Sequence, residues 1–159
     1  MCDVASGREP CRVRAGSPAD CAALADIDTL VSASPRGAAR FEAACGTGDN
    51  RSECALVLEQ AGVVRGFIVL APVLDEVSIH AFAVHPEHRR QGHARRLLDG
   101  ALERMRHAGA RRCLLEVRIS NLAARGLYEQ FGFACDGVRK AYYPAGDGRE
   151  DALLLSLQL

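Results

Sequence analysis

The sequence lacks the features of proteins that bind nucleic acids or span membranes. Twenty Lys and Arg residues are balanced by twenty Asp and Glu residues, so the basic excess of a duplex-binding protein is missing. No run approaches the roughly 18 uninterrupted apolar residues of a membrane-spanning helix. The first ten residues include Asp3, Arg8 and Glu9 and no apolar stretch, unlike a signal peptide. We therefore expect a cytoplasmic protein without direct contacts to nucleic acid or membrane.

The cysteines and histidines lack the spacing of metal sites and disulfide frameworks. The seven cysteines are odd in number and contain no C-x-x-C pair, so we expect small apolar side chains in a reducing compartment. They are Cys2, Cys11, Cys21, Cys45, Cys54, Cys113 and Cys135. The histidines show no metal spacing on one face with a carboxylate partner, so no metal is expected. They are His80, His85, His88, His93 and His107.

What is present fits one folded domain. The 159 residues are 48% apolar and 25% charged, ordinary values for a globular protein. Hydrophobic periodicity predicts the order β-α-α-β-β-β-α-β-α-β-β. A hairpin in the first half implies antiparallel pairing, and strand–helix–strand units in the second half imply parallel pairing. We predict an α/β fold, a mixed twisted sheet of about seven strands with helices on both faces, over residues 11–159 after a flexible stretch at 1–10.

The same patterns predict where the elements begin and end. A second helix is expected from Pro35 to about Cys45, and the strongest helix covers Gly92–His107. Two short strands are expected at Phe133–Val138 and Ala152–Leu159.

The most informative stretch lies between a strand that ends at Val84 and the helix that begins at Gly92. The first amides of a helix have no internal partner, and the helix dipole favours an anion there, so a phosphate is the natural ligand. Gly92 and the small Ala94 allow close approach of the backbone. The motifs G-x-G-x-x-G and G-x-x-x-x-G-K-S/T are absent, which disfavours a Rossmann or P-loop site. An ordinary exposed basic helix start remains the alternative; the flanking arginines are Arg89, Arg90, Arg95 and Arg96.

Residues 89–94 match the acetyl-CoA signature Q/R-x-x-G-x-G/A and thereby resemble the GCN5-related N-acetyltransferases, the GNAT family. The resemblance implies that backbone amides of this turn hold the pyrophosphate of CoA, and that the preceding strand pairs with the pantetheine arm. The residues implied in the turn are Arg89, Arg90, Gln91, Gly92, His93, Ala94 and Arg95. Those implied in the strand are Phe82, Ala83 and Val84.

Four further segments resemble the RimI-type N-alpha-acetyltransferases within that family. They are Leu115–Ala124, Leu127–Phe133, Tyr142–Pro144 and Asp147–Ala152, and the resemblance covers roughly residues 50–159. It implies direct transfer of acetyl from acetyl-CoA, within a ternary complex, to the N-terminal amine of a small-subunit ribosomal protein.

The resemblance also implies catalytic roles for two side chains. Glu116 would be the general base, acting through water, and Tyr128 would protonate the leaving CoA thiolate. The residues alone leave other interpretations open: Glu116 as a solvent-facing strand residue paired with Arg118, and Tyr128 as a core aromatic.

Three more residues have implied binding roles. Asn121 would contact acetyl-CoA, and its position also suits a helix N-cap. Tyr142 and Tyr143 would hold the acceptor backbone from a loop that closes over it, or would simply cover a sheet edge.

The acceptor is less clearly specified than the cofactor. RimI-type sequences carry a Pro-Trp-Ser segment in the N-terminal helical region, whereas this chain has no Trp and reads Ser34–Phe41 there. A small-molecule amine acetyltransferase and a non-catalytic acyl-CoA-binding module therefore remain alternatives. We expect a monomer or weak dimer.

Overall fold

The computed structural model describes residues 10–46 and 52–159, so all but the last residue of the expected flexible stretch at 1–10 lie outside the described part of the chain. The elements, in chain order, are β1 (Cys11–Ala15), α1 (Cys21–Val31), α2 (Ala38–Cys45), β2 (Cys54–Gln60), β3 (Val63–Val73), β4 (Glu76–Val84), α3 (His93–His107), β5 (Arg112–Arg118), α4 (Leu122–Gln130), β6 (Ala134–Ala145) and β7 (Gly148–Gln158). This order and the mixed α/β architecture confirm the predicted fold class. None of the described helices is long and apolar enough to cross a membrane.

The seven strands form one mixed sheet in the order β1-β2-β3-β4-β5-β7-β6. The hairpin β2–β3 turns at Ala61 and Gly62, whose φ angles of 53° and 75° suit the tight turn expected there. Strands β4 and β5, connected through α3, pair in parallel, and the other pairs are antiparallel. The second expected parallel pair, β5 with β6, does not form. A tight turn at residues 146–147 folds β7 back between them, so that β7 pairs with both.

The two faces of the sheet carry separate apolar clusters. Helices α1 and α2 pack on one face, where Phe41 meets Phe67 with ring centroids 5.1 Å apart. Helices α3 and α4 pack on the other. The apolar stripe of α3 is buried there as the periodicity predicts, through Leu97, Leu98, Ala101, Leu102 and Met105.

Strands β6 and β7 and helix α2 differ from the sequence prediction at their boundaries. Strand β7 begins at Gly148 and not at Ala152, because it pairs with the extended end of β6. Strand β6 continues to Ala145, so Tyr142 and Tyr143 lie in a strand and not in a loop. A break in register between Arg139 and Tyr143 allows this, and Ala141 takes a φ of 49° while its amide donates to Asp151. Helix α2 begins at Ala38, because Gly37 with a φ of 76° ends the preceding turn.

The sheet opens at one point. Pairing between β4 and β5 ends at Ile79 and Leu115, although both strands continue. We call the unpaired ends, residues 80–84 of β4 and 116–118 of β5, the β4–β5 gap. It leaves the β5-facing backbone edge of β4 available for another extended chain.

Candidate active site

The turn that follows β4 presents a set of unpaired amides, which we call the phosphate loop (residues 89–95). Arg90 and Gly92 both take left-handed φ angles, 58° and 79°, and a non-glycine residue in that region is uncommon. Alternation of right- and left-handed residues turns successive amides into one concavity, which suits an anion. Within the described residues, the amides of the loop beyond Arg89 donate no hydrogen bond, and no side chain caps α3.

The arginine side chains around the phosphate loop differ in their contacts. Arg89, Arg90 and Arg96 are exposed. Arg95 instead donates to Gln130 at 3.0 Å, and its guanidinium carbon lies 5.2 Å from the Phe131 ring centroid. Arg95 can therefore contribute its backbone amide to the loop, while its side chain ties α3 to α4.

His93, the first residue of α3, is buried beneath the loop. Its side chain sits beside His88, with ring centroids 6.5 Å apart. Burial, then the neighbouring His88 and the arginines Arg96 and Arg65, lower the pKa of His93 below its usual value, so its ring is neutral at pH 7.

The three residues expected to carry pantetheine lie beside the β4–β5 gap. On its other edge this part of β4 pairs with β3, with Ala83 opposite Phe67. Ala83 and Val84 are buried, and Phe82 is partly exposed. The strand thus offers its free backbone edge, and a short turn at residues 85–88 connects it to the phosphate loop.

Glu116 occupies the β5 side of the gap. Its carboxylate is 31% exposed and lies 3.2 Å from Arg139 of β6. The alternative pairing with Arg118 is wrong, because Arg118 binds Glu150 and the carbonyl of Pro144, both at 2.8 Å. The partner of Glu116 could not be found from the sequence, since it depends on β7 lying between β5 and β6. In that sheet, Glu116 of β5 and Gly137 of β6 both lie opposite Leu154 of β7.

Tyr128 is buried in α4 with 5% of its surface exposed. Its ring lies 5.4 Å from that of Phe133 and 6.3 Å from that of Phe82, centroid to centroid. Burial, with smaller contributions from Cys113 and Tyr143, raises its pKa well above the usual value, so the hydroxyl keeps its proton. Among the described residues, none accepts a hydrogen bond from this hydroxyl. The ring of Tyr128 is thus a core aromatic, as one of the two interpretations predicts. Its hydroxyl remains available to a bound molecule.

Glu116 and Tyr128 approach the gap from opposite faces of the sheet. Leu115 and Val117 belong to the cluster under α3 and α4, so alternation along β5 points Glu116 to the face of α1 and α2. Tyr128 lies in the cluster under α3 and α4. The two can act on one molecule only if that molecule passes through the gap.

The phenol of Tyr143 interacts electrostatically with both Glu116 and Tyr128. Burial and then the charge of Glu116 raise its pKa, and Tyr143 in turn contributes to the raised pKa of Tyr128. The Arg118 guanidinium packs over the Tyr143 ring, with its central carbon 4.4 Å from the ring centroid. The family resemblance predicted that Tyr143 contacts the acceptor. It did not predict that Tyr143 interacts with Glu116 and Tyr128.

Tyr142 contacts Tyr143, and Asn121 lies at the start of helix α4. Tyr142 is 40% exposed and packs edge-on against Tyr143 at 4.9 Å, with Arg139 above it at 5.2 Å. Asn121 is the N-cap of α4, where its side chain accepts from the amide of Ala124 at 3.2 Å. The arrangement therefore combines a turn with unpaired amides, a strand edge without a partner strand, a carboxylate and a buried phenol.

Comparison with known proteins identifies the family to which this chain belongs. A family model described as the acetyltransferase (GNAT) family matches residues 22–133. The ribosomal protein bS18-alanine N-acetyltransferase of Escherichia coli is 41% identical over 102 residues, 64% of this chain and 69% of that protein. Its namesake in Haemophilus ducreyi is 37% identical over 102 residues, 64% and 70% of the two chains.

A solved structure agrees with these relatives. The crystal structure of the ribosomal-protein-S18-alanine N-acetyltransferase from Escherichia coli has a TM-score of 0.85 to this chain, at 33% identity over 94% of each chain. The chain therefore belongs to the GNAT acetyltransferase family, and within it is similar to the ribosomal-protein-alanine N-acetyltransferases.

Proposed function

We propose that this protein transfers acetyl from acetyl-CoA to the N-terminal amine of a ribosomal protein. One observation carries the proposal: residues 80–84 of β4 have no partner strand on the β5 side, and the amides of residues 90–95, which follow a short turn at residues 85–88, donate to no described residue. An extended pantetheine arm can pair with the first, and a diphosphate can bind the second. The similarity to enzymes named for ribosomal-protein-alanine acetylation supports the acceptor.

The proposed placement of the cofactor uses the gap. The diphosphate binds amides of the phosphate loop, and the pantetheine arm follows Phe82–Val84 of β4. The thioester then lies in the β4–β5 gap, between the carboxylate of Glu116 and the phenol of Tyr128. Asn121, which caps α4, lines the entrance for the nucleotide.

The reaction then needs three proton and electron movements. The lone pair of the neutral acceptor amine attacks the carbonyl carbon of the thioester, which forms the C–N bond. The C–S bond breaks as the tetrahedral intermediate collapses, and the thiolate takes the proton of the Tyr128 hydroxyl. Glu116 accepts the proton that the amine nitrogen loses, through a water molecule. A high pKa suits Tyr128, because it must hold its proton until the thiolate leaves.

An N-terminal amine suits this site better than a lysine. Its pKa is near 8, so roughly a tenth is neutral at pH 7, against well under a thousandth of a lysine with a pKa near 10.4. A half-exposed carboxylate is then a sufficient base. Tyr142 and Tyr143 would contact the acceptor backbone from strand β6.

The domain organisation, cellular location and oligomeric state are proposed in the same way. Residues 11–159 would form one acetyltransferase domain, because one continuous sheet carries the whole site. The protein would act in the cytoplasm, where ribosomal proteins are made, as a monomer or weak dimer.

The test is an acceptor panel. The protein is incubated with acetyl-CoA and N-terminal peptides of small-subunit ribosomal proteins, or with polyamines and aminoglycosides, and free CoA thiol is measured. Thiol release with peptides alone supports the proposal, whereas release with the small amines favours the small-molecule alternative. Acetyl-CoA binding without thiol release on any acceptor would leave a non-catalytic binding module.

A further inference from the structure

Three side chains just before the phosphate loop form a cluster that acetyl transfer does not use. His85, Glu87 and His88 lie on one short turn between β4 and α3, and each offers a ligand atom within 4.8 Å of the other two. Two imidazoles and a carboxylate on adjacent positions are a donor set that divalent transition metals bind. Sequence spacing suggested no such grouping.

The turn that carries these residues is anchored to the sheet. The amide of His85 donates to the carbonyl of Arg65 in β3 at 2.8 Å. Pro86 fixes the first position of a single 3₁₀ turn that ends at His88. The backbone is therefore held in place, and the three donor atoms already lie within 4.8 Å of one another.

The donor atoms are largely free. The amide of Glu87 lies 3.3 Å from Nδ1 of His85, a long hydrogen bond that a metal ion at that nitrogen would replace. In the part of the chain that the structure describes, neither the ring nitrogens of His88 nor the Glu87 carboxylate takes part in a hydrogen bond or ion pair.

A second observation points to the same place. His93 is 4% exposed and its ring stacks on His88, and both of its ring nitrogens are buried with no partner among the described residues. An unpaired buried imidazole carries a cost that a ligand removes. His93 is therefore an unpaired buried imidazole next to the cluster, although its nitrogens are not among the three grouped donor atoms.

The surrounding charges select the kind of ion. Arg65 and Arg96 lie near His88 and His93 and repel any cation. Weakly bound oxygen-seeking ions such as Mg²⁺ and Ca²⁺ cannot overcome this with one carboxylate, whereas ions that form strong bonds to imidazole can. We propose that His85, Glu87 and His88 form a binding site for a late first-row transition cation such as Ni²⁺ or Zn²⁺.

The site adjoins the phosphate loop, so an ion there would affect cofactor binding. Residue 89, the first of the loop, directly follows His88. A bound dication would add positive charge near the diphosphate, and we expect acetyl-CoA to bind several-fold more tightly. This consequence rests on the proposed use of acetyl-CoA, whereas the metal site itself does not.

The experiment titrates the chelator-treated full-length protein with Ni²⁺ alone by calorimetry. We expect one ion per chain, and an affinity about tenfold or more weaker in His85→Gln and in His88→Gln. His107→Gln is the matched control, because His107 lies at the far end of α3 with its ring nitrogen on the carbonyl of Glu103. Circular dichroism verifies that each variant is folded.

Competing ligands are distinguished by spectroscopy. Co²⁺ bound to His and Glu shows no thiolate charge-transfer band, whereas a band in the near ultraviolet would assign the ion to cysteine and overturn the proposal. Absence of binding, or unchanged affinity in both histidine variants, would overturn it as well. Acetyl-CoA affinity that is the same with and without saturating Ni²⁺ would overturn the coupling.

Discussion

Among single side chains, the proposed chemistry divides between a carboxylate and a phenol with different surroundings. Glu116 lies at the surface of one sheet face, beside a cation and next to solvent. Tyr128 lies within the core of the other face, where burial keeps it protonated. In the proposed reaction the acceptor amine would arrive from solvent and the CoA thiolate would leave inside the gap, so each group would have the exposure that its proposed role requires.

Replacement of the carboxylate tests its role as a base. Glu116→Gln should lower turnover about 100-fold at pH 7 and about tenfold at pH 9, where the amine of the acceptor is already deprotonated. Glu76→Gln is the control, because Glu76 is also a strand carboxylate near an arginine, Arg112 at 3.5 Å, and lies away from the gap. Equal losses at the two pH values would remove Glu116 as the base.

The phenol is tested by removal of one oxygen. Tyr128→Phe should lower kcat about 100-fold and leave the acetyl-CoA Kd within about twofold. Its thermal stability should stay nearly unchanged, because the ring remains packed and no described residue loses a hydrogen bond. Turnover equal to that of the unmodified protein, or loss of the folded state, would make Tyr128 a core residue only.

Among the secondary-structure elements, the turn between β4 and α3 was predictable, and the β6–β7 hairpin was not. A strand end, a glycine and an amphipathic stripe are local signals, and they place the turn between β4 and α3 correctly. The hairpin depends on a register break near Ala141 and on pairing partners distant in sequence. For that reason the positions of Tyr142, Tyr143 and Arg139 emerged only from the structure.

The phosphate loop is tested with a pair of glycines. Gly92 and Gly62 have φ angles of 79° and 75°, and a Cβ at either would meet open space within 4 Å. Alanine at each position should therefore cost a similar free energy of unfolding, about 1–2 kcal/mol. Gly92→Ala alone should weaken acetyl-CoA binding, by about tenfold or more, because its Cβ enters the space of the diphosphate.

Calorimetry on both variants separates strain from contact. Similar losses of stability with a selective loss of affinity in Gly92→Ala support the loop as the diphosphate site. Unchanged affinity in Gly92→Ala would contradict it.

An ion-pair network fixes the first elements to the sheet and should control stability in acid. Arg14 of β1 binds Asp20, before α1, through two contacts of 2.8 and 2.9 Å, and also contacts Glu59 of β2 at 2.7 Å. The Arg14 hydrogen bonds lower the pKa of Asp20 from 3.8 to about 2. Because the folded-state pKa is the lower one, this contribution is complete above about pH 4 and is lost as the pH falls toward 2.

The corresponding variant is Asp20→Asn. It should lower the free energy of unfolding by about 1–2 kcal/mol near pH 6, and the difference should shrink toward pH 2. Denaturant titration at several pH values measures this. Asp136→Asn, at an exposed pair with Arg112, should change stability by less than about 0.5 kcal/mol. A pH-independent difference for Asp20→Asn would show that ionisation of Asp20 is not the cause.

For the chain as a whole, the topology explains how one gap can serve both faces of the sheet. Strands β4 and β5 pair in parallel only over their first residues, and β7 supports β5 from the other side beyond that point. Sequence patterns predicted the strands and helices but not the insertion of β7, because pairing between distant strands leaves no local signal. The candidate residues were identified by family resemblance, and the gap that could unite them was identified by the structure.

The acceptor amine can be identified directly by mass spectrometry, which compares the acetylation of protein N-termini in cells with and without this protein. We expect a small-subunit ribosomal protein whose α-amine is acetylated only when the protein is present, with its lysines unmodified. Identical N-terminal acetylation in both cells, or acetyl groups found on lysine side chains instead, would contradict the proposed function.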